Sequence, residues 1–252
     1  MMKIDLVLTA CNMSDHYLKL YPNIVKVWKQ RFNLDCHLIL IADTIPDFLK
    51  NYPNIILFKP IEGVNNVFTA QVIRILYPAL YQNKNIMITD ADIVPISTDY
   101  FINSIEKYPN DTFISFRDKY LKQNMLAICY NVANSNTWKN IFNINSEEDI
   151  TKVIKSWYHN DYNAHKNCIG WYTDQQKLYE YATKSDKLII LKDKDIKFKR
   201  LDKRQRQYIL TNLKEVKDDL SKGKYTDFHL IKPYNHYKKL IDELIDIICS
   251  IK

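Results

Sequence analysis

The chain has 252 residues, 46% of them hydrophobic and 26% charged, with a net charge of +7. That composition supports a sizeable core and excludes a disordered polymer, and no apolar stretch approaches the ~20 residues needed to span a bilayer. The lysines are scattered along the chain and not gathered in a block, which argues against a nucleic-acid partner and suits small anionic ligands.

The first half alternates strand and helix. Leu6-Val7-Leu8 is the core of a first strand, so Met2 to Thr9 reads as structure and not as a signal peptide. Residues 17–29 form an amphipathic helix with Leu18, Tyr21, Ile24, Val25 and Trp28 on one face. Strands follow at 36–41 and 55–58, then a helix over 64–80 broken near Pro78, then a strand at 86–89. This alternation implies an α/β fold with a Rossmann-like, mostly parallel sheet flanked by helices.

The second half is less regular. Strands are predicted at 112–116, 125–130, 188–191 and 197–201, and helices at 134–142, 149–158, 173–183 and 206–220. An amphipathic helix carrying Leu240, Ile241, Leu244, Ile245 and Ile248 closes the chain; its acidic polar face suits core packing better than an anionic membrane. With no Pro-, Gly- or Ser-rich linker, one domain over 1–252 is expected. Its parts are residues 1–95, 96–235 and a final helix at 236–252.

Two rare residue types narrow the chemistry. Only Gly63, Gly170 and Gly223 occur, so no glycine-rich loop cradles phosphates. The five cysteines are widely spaced with no CxxC pair, which fits neither a zinc site nor a disulfide framework and places the chain in a reducing, cytoplasmic compartment, a host cytoplasm if viral.

The run Ile86 to Pro95 carries Asp90 and Asp92, one residue apart, at the end of its apolar stretch. Ligands of open α/β sheets bind at the carboxyl ends of the strands. Unpaired carboxylates make poor core, so this pair reads as a half-site for Mn²⁺ or Mg²⁺; the plainer reading is a strand end capped by aspartates. His229 is a possible third ligand, and Lys232 can meet a phosphate as a point charge. His236 reads as surface. In Gly170 to Gln176, Thr173 reads as an N-cap with Gln176 completing a capping box. There Asp174 is either a favourable first-turn acid or a general base in the crevice, with Trp171 and Tyr172 as a stacking wall.

In this order the motifs resemble the GT-A fold of metal-dependent nucleotide-sugar glycosyltransferases, of the compact type that includes glycogenin-like enzymes and those of large DNA viruses. The resemblance runs from residue 3 to about 235 and implies that 1–95 form the nucleotide-binding half and 96–235 the donor-sugar and acceptor half. It rests on Leu8 to Asn12, Asp43, Gln71 with Arg74, Asp90-Ala91-Asp92, Trp171 to Gln175, and His229 with Lys232-Pro233-Tyr234. It implies that Thr9, Ala10, Asn12, Asp43, Gln71, Arg74, Ala91 and Lys232 bind the nucleotide. Asp90, Asp92 and His229 would hold Mn²⁺ or Mg²⁺. Asn131, Trp171, Tyr172, Thr173 and Gln175 would meet donor sugar or acceptor. The implied partners are a nucleoside diphosphate sugar, with UDP favoured, and a hydroxyl on a glycan, protein or small molecule. Asp174 is the candidate base, and a carboxylate rather than an amide at this position leans towards inversion. Lys199 to Lys203 resembles a basic segment near the site in some relatives, but reads more simply as a solvated charged strand end. Glycogenin-like enzymes carry a glycine between the metal histidine and the Lys-Pro pair and a tryptophan after it; here the spacing is shorter and Tyr234 follows. A nucleotidyltransferase shares the two-carboxylate layout but brings a glycine-rich loop after strand one, where this chain has Ala10-Cys11-Asn12-Met13. A non-catalytic nucleotide- or glycan-binding module is the remaining alternative.

Overall fold

The computed structural model describes residues 1–251. Among these, a seven-stranded sheet is built from β1 (Leu6–Asn12), β2 (Asp35–Ile41), β3 (Ile55–Phe58), β4 (Asn85–Thr89), β6 (Phe113–Ser115), β7 (Tyr130–Asn134) and β8 (Leu188–Ile190). Its order is β3-β2-β1-β4-β7-β6-β8. β7 alone runs against its neighbours β4 and β6, so the sheet is mostly parallel, as expected. β5 (Ile93–Pro95), β9 (Arg200–Leu201) and β10 (Asp227–His229) make a second, three-stranded sheet ordered β5-β10-β9.

Both faces of the large sheet are covered, which is why its central strands are apolar on both sides. Val7, Leu38 and Met87 pack with α2 (Tyr21–Phe32) and α9 (Tyr234–Ser250), through Ile24, Trp28, Ile241 and Ile245. Leu8, Ile39 and Ile88 pack on the other face with α3 (Asn66–Leu76), α4 (Ser135–Phe142), α5 (Glu147–Trp157) and α6 (Thr173–Ala182). Local chemistry sets the helix starts. The side chain of Asn65 accepts from Val67 N at 2.8 Å and that of Ser146 from Asp149 N at 3.2 Å, each satisfying an otherwise orphaned donor.

Several expectations are corrected. The helix predicted over 17–29 is two helices, α1 (Asp15–Leu18) and α2, because Pro22 has no N–H to continue a ladder and sits in the first turn of α2. No strand covers 125–129. There Leu126 N donates to Gln175 O at 3.2 Å and Ala127 O accepts from the Asn131 side chain at 2.9 Å, so these groups are satisfied outside a ladder. The helix predicted over 206–220 is broken at Asn212 into α7 (Arg206–Thr211) and α8 (Leu213–Ser221). Thr173 is not a cap: Tyr172 holds that position without a side-chain bond, and Gln176 N bonds Tyr172 O at 3.0 Å. A capping box does occur at Asp202 and Gln205. No helix among the described residues is long and apolar enough to cross a membrane.

Candidate active site

A cavity of about 270 Å³ opens at the carboxyl ends of β1 and β4. Ala10 and Asn12 from β1, Gln71 and Arg74 from α3, Asp90, Ala91 and Asp92 after β4, and Trp171, Asp174 and Gln175 at the start of α6 all line it, as does His229. These eleven residues, distant in sequence, share one crevice.

The small sheet aims the cations at Asp92. Antiparallel pairing of β10 with β5 sets His229 opposite Ile93, and Leu230 N bonds Asp92 O at 2.8 Å. His229 Nε2 is thereby 3.0 Å from Asp92 Oδ2. β9 pairs with β10, and two residues past β9 the Lys203 ammonium lies 2.9 Å from the same oxygen. Lys232 reaches it at 2.6 Å and sits 3.5 Å from the ring centroid of Tyr17. Burial alone would raise the Asp92 carboxyl; His229 and the two lysines outweigh it and hold the group well below the usual carboxylate range.

A second charge network lines the same cavity. Arg74 on α3 is buried and forks between two acids, with Nη1 against Asp90 Oδ1 and Nη2 3.0 Å from Asp174 Oδ2. The other oxygen of Asp174 accepts from Gln175 N at 2.8 Å. Asp174 is 3% exposed, and this burial raises its carboxyl above the ordinary value despite the opposing pull of Arg74. Behind α3, Gln71 Nε2 donates to Trp171 O at 3.4 Å and Gln71 Oε1 accepts from Tyr162 at 2.6 Å. Gly170 has φ of +79° and a Cβ there would lie 2.7 Å from Tyr162, so only glycine lets this segment turn towards the cavity.

Six sequence-predicted residues are not on the cavity wall. Thr9 is buried in β1 beneath it. Asp43 is exposed beyond the end of β2. Lys232 approaches Asp92 beside Tyr17 and not through the wall. Asn131 is buried inside β7, and not after a strand, where it holds Ala127 O. Tyr172 is turned to Asn167, at 2.6 Å, and Thr173 is buried in the first turn of α6. Residues 199–203 are not a solvated strand end: Arg200 is in a bidentate pair with fully buried Asp227, and Lys203 is in the site. Cys11, Tyr17, Val67, Ala70, Ile128 and Lys203 also line the cavity. Cys11 belongs to the motif Leu8 to Asn12 and Lys203 to the basic segment 199–203; nothing in sequence marks Tyr17, Val67, Ala70 or Ile128.

Asp90, Asp92 and His229 offer two carboxylates and an imidazole, a donor set that suits Mn²⁺ or Mg²⁺. Asp92 and His229 are in contact, and His229 Nδ1 is buried without a partner. Asp90 is turned to Arg74, and among the described residues no three His, Cys, Asp or Glu side chains converge as a shell. The donor chemistry fits a divalent cation, with the carboxylates held by cationic side chains instead.

No protein-family model matches the chain, and no curated protein matches it in sequence. Solved structures do. The apo form of the glycosyltransferase GlyE of Streptococcus pneumoniae superposes with a TM-score of 0.56 at 14% identity, over 99% of this chain and 63% of that one. The bifunctional glycosyltransferase WbbM superposes with a TM-score of 0.51 at 13% identity, over 98% of this chain and 50% of that one. The chain has the GT-A fold. It spans less than two thirds of the length of either protein, so it matches one part of each. In this GT-A chain the aspartate pair after β4 and the first turn of α6 line one crevice, and Arg74 bridges Asp90 to Asp174.

Proposed function

We propose that the chain is a glycosyltransferase that moves a sugar from a nucleoside diphosphate donor, UDP by resemblance, to an acceptor hydroxyl. The observation that carries this reading is one cavity lined both by Asp92, with Lys203 and His229 beside it and Lys232 reaching it from behind, and by the Arg74–Asp174 pair. Ala10, Cys11, Asn12, Tyr17 and Val67 would enclose base and ribose. Burial pushes the Tyr17 phenol up to about 12, so it stays a neutral donor beside the nucleotide. Lys203 and Lys232 supply fixed positive charge where the leaving diphosphate gathers negative charge. A divalent cation held by Asp90, Asp92 and His229 would add Lewis-acid stabilisation of that leaving group.

Asp174 is the proposed base. The acceptor oxygen bonds to the anomeric carbon, the bond from that carbon to the phosphate oxygen breaks, its electron pair leaves with the diphosphate, and the hydroxyl proton passes to Asp174. Burial raises the Asp174 carboxyl, which makes it a stronger proton acceptor than an ordinary aspartate. A base facing the acceptor favours inversion. Trp171 and Gln175 would border the sugar. The test is thermal stabilisation by UDP, GDP, ADP and CMP, with Mn²⁺ and with EDTA, for the natural chain and Asp92→Ala. A ligand that binds only the folded state raises Tm. A Mn²⁺-dependent shift with one diphosphate, lost in the variant, is the expected result; no shift with any nucleotide overturns the proposal.

A further inference from the structure

A second cleft, about 690 Å³, adjoins the first and shares Asp90, Ile128, Gln175, Lys203 and His229 with it. Its cations are Arg117, Lys119, Lys166, Arg200, Lys203 and Arg204. Lys203 is paired with Asp92 and Arg204 with Asp202, while Lys119 and Lys166 have no carboxylate partner among the described residues. Two of the arginines are held rigidly. Arg117 gives its Nε and Nη2 to Asp193, at 3.1 and 2.6 Å, and Arg200 gives the same pair to Asp227, at 2.9 and 2.5 Å. Both guanidinium groups lie over Phe198, 3.6 and 5.3 Å from its centroid. Each therefore keeps Nη1 uncommitted on a fixed fork, and Arg117 is 7% exposed yet lines the cleft. Lys119 and Lys166 are exposed at the rim.

A neutral acceptor makes no use of such a wall, because solvated polar groups need no arginines held from behind. Pre-oriented guanidinium donors flanked by mobile ammonium groups match a phosphate group. We infer that this cleft is the acceptor subsite and that it takes an acceptor whose reacting hydroxyl lies near a phosphate group. The inference rests on the transferase reading for the word acceptor, but the preference for phosphate stands on the cleft itself. The phosphate would sit against Arg117 and Arg200, leaving the hydroxyl towards Gln175 and the shared wall, where the donor sugar ends. The phosphate belongs either to a soluble sugar phosphate or to a lipid headgroup.

The test is calorimetric titration with glucose 6-phosphate, and with glucose as the neutral control, in the presence of saturating UDP and Mn²⁺. It compares the natural chain with Lys119→Gln/Lys166→Gln, which alters only exposed side chains. Glucose 6-phosphate is expected to bind, glucose not, and the double variant to bind about tenfold more weakly, with the loss shrinking at high salt. The UDP-induced rise in Tm is expected to be the same in both proteins. Equal binding of the phosphate and the neutral sugar, no binding of either, or binding indifferent to the two lysines overturns the inference. If UDP gives no shift while glucose 6-phosphate still binds and depends on the lysines, the phosphate subsite stands and the transferase reading falls. Co-sedimentation with phosphatidylcholine vesicles containing phosphatidylglycerol, weakened in the double variant, assigns the phosphate to a lipid headgroup. Soluble binding without co-sedimentation assigns it to a sugar phosphate.

Discussion

The ammonium of Lys232 lies 2.6 Å from Asp92 Oδ2, although 140 positions separate the two residues in sequence. The pair ties the segment after β10 to the aspartate motif after β4, and His229 and Lys203 crowd the same oxygen.

Removing that carboxylate leaves three groups without their shared partner. Asp92→Ala should lower stability by about 1–3 kcal/mol, because the partly buried lysines lose a charge-assisted bond but can reach water. Chemical denaturation reads the change. Lys232→Ala should cost less stability and weaken UDP binding about tenfold, measured by titration calorimetry. An unchanged UDP affinity would remove Lys232 from the diphosphate site.

Asp174 gives activity and stability opposite signs. Its carboxyl is raised by burial, so the fold favours the protonated form; this contribution is present at low pH and is lost as pH rises through the folded value. Asp174→Asn, which is neutral at every pH, should therefore keep or raise Tm at pH 7 while turnover falls about 10²–10⁴-fold. In the natural chain kcat/KM should fall as pH drops through a value above the ordinary ~3.9 of an aspartate, and that acidic limb should vanish in the variant.

Asp227 is fully buried, accepts from the Tyr130 hydroxyl at 2.8 Å and holds Arg200 through two bonds. Asp227→Ala strands a partly buried guanidinium and leaves the Tyr130 hydroxyl without its acceptor, and should cost about 3–5 kcal/mol. Because β9 and β10 are zipped through this pair, the variant should also lose nucleotide binding below its melting temperature. Retained UDP affinity would show that the small sheet does not need the ion pair to place His229.

Gly170→Ala joins a positive φ to a Cβ that meets Tyr162 at 2.7 Å. It should cost about 1–3 kcal/mol and disturb the Tyr162–Gln71–Trp171 links. Donor affinity, read by titration, should fall along with Tm. A fall in Tm alone would confine the effect to packing.

Long apolar runs declared themselves. β3 occupies the predicted residues 55–58, and α4 and α5 begin within two residues of their predicted starts, because periodicity and local caps act over short range. The strand predicted at 125–130 failed for the complementary reason: its apolar residues are buried, as in a strand, but in a turn stitched to α6 and Asn131. β5 and β10 have three residues each, too few for a pattern of period two to register, and of the strand predicted at 197–201 only β9, Arg200–Leu201, forms.

By itself the sequence determined the α/β class, the position of the aspartate pair at a strand end, and most of the residues lining the crevice, since burial pattern and residue chemistry are local properties of the chain. Tertiary structure alone decided what each of those groups touches. Arg74 is forked between Asp90 and Asp174, Lys203 and Lys232 converge on Asp92, and Arg117 and Arg200 are braced beside Phe198. Charge pairing depends on separations of a few ångströms, and only tertiary packing brings distant residues to that range: α3 against α6 for Arg74 and Asp174, and the small sheet beside the aspartate motif for Lys203, Lys232 and Asp92.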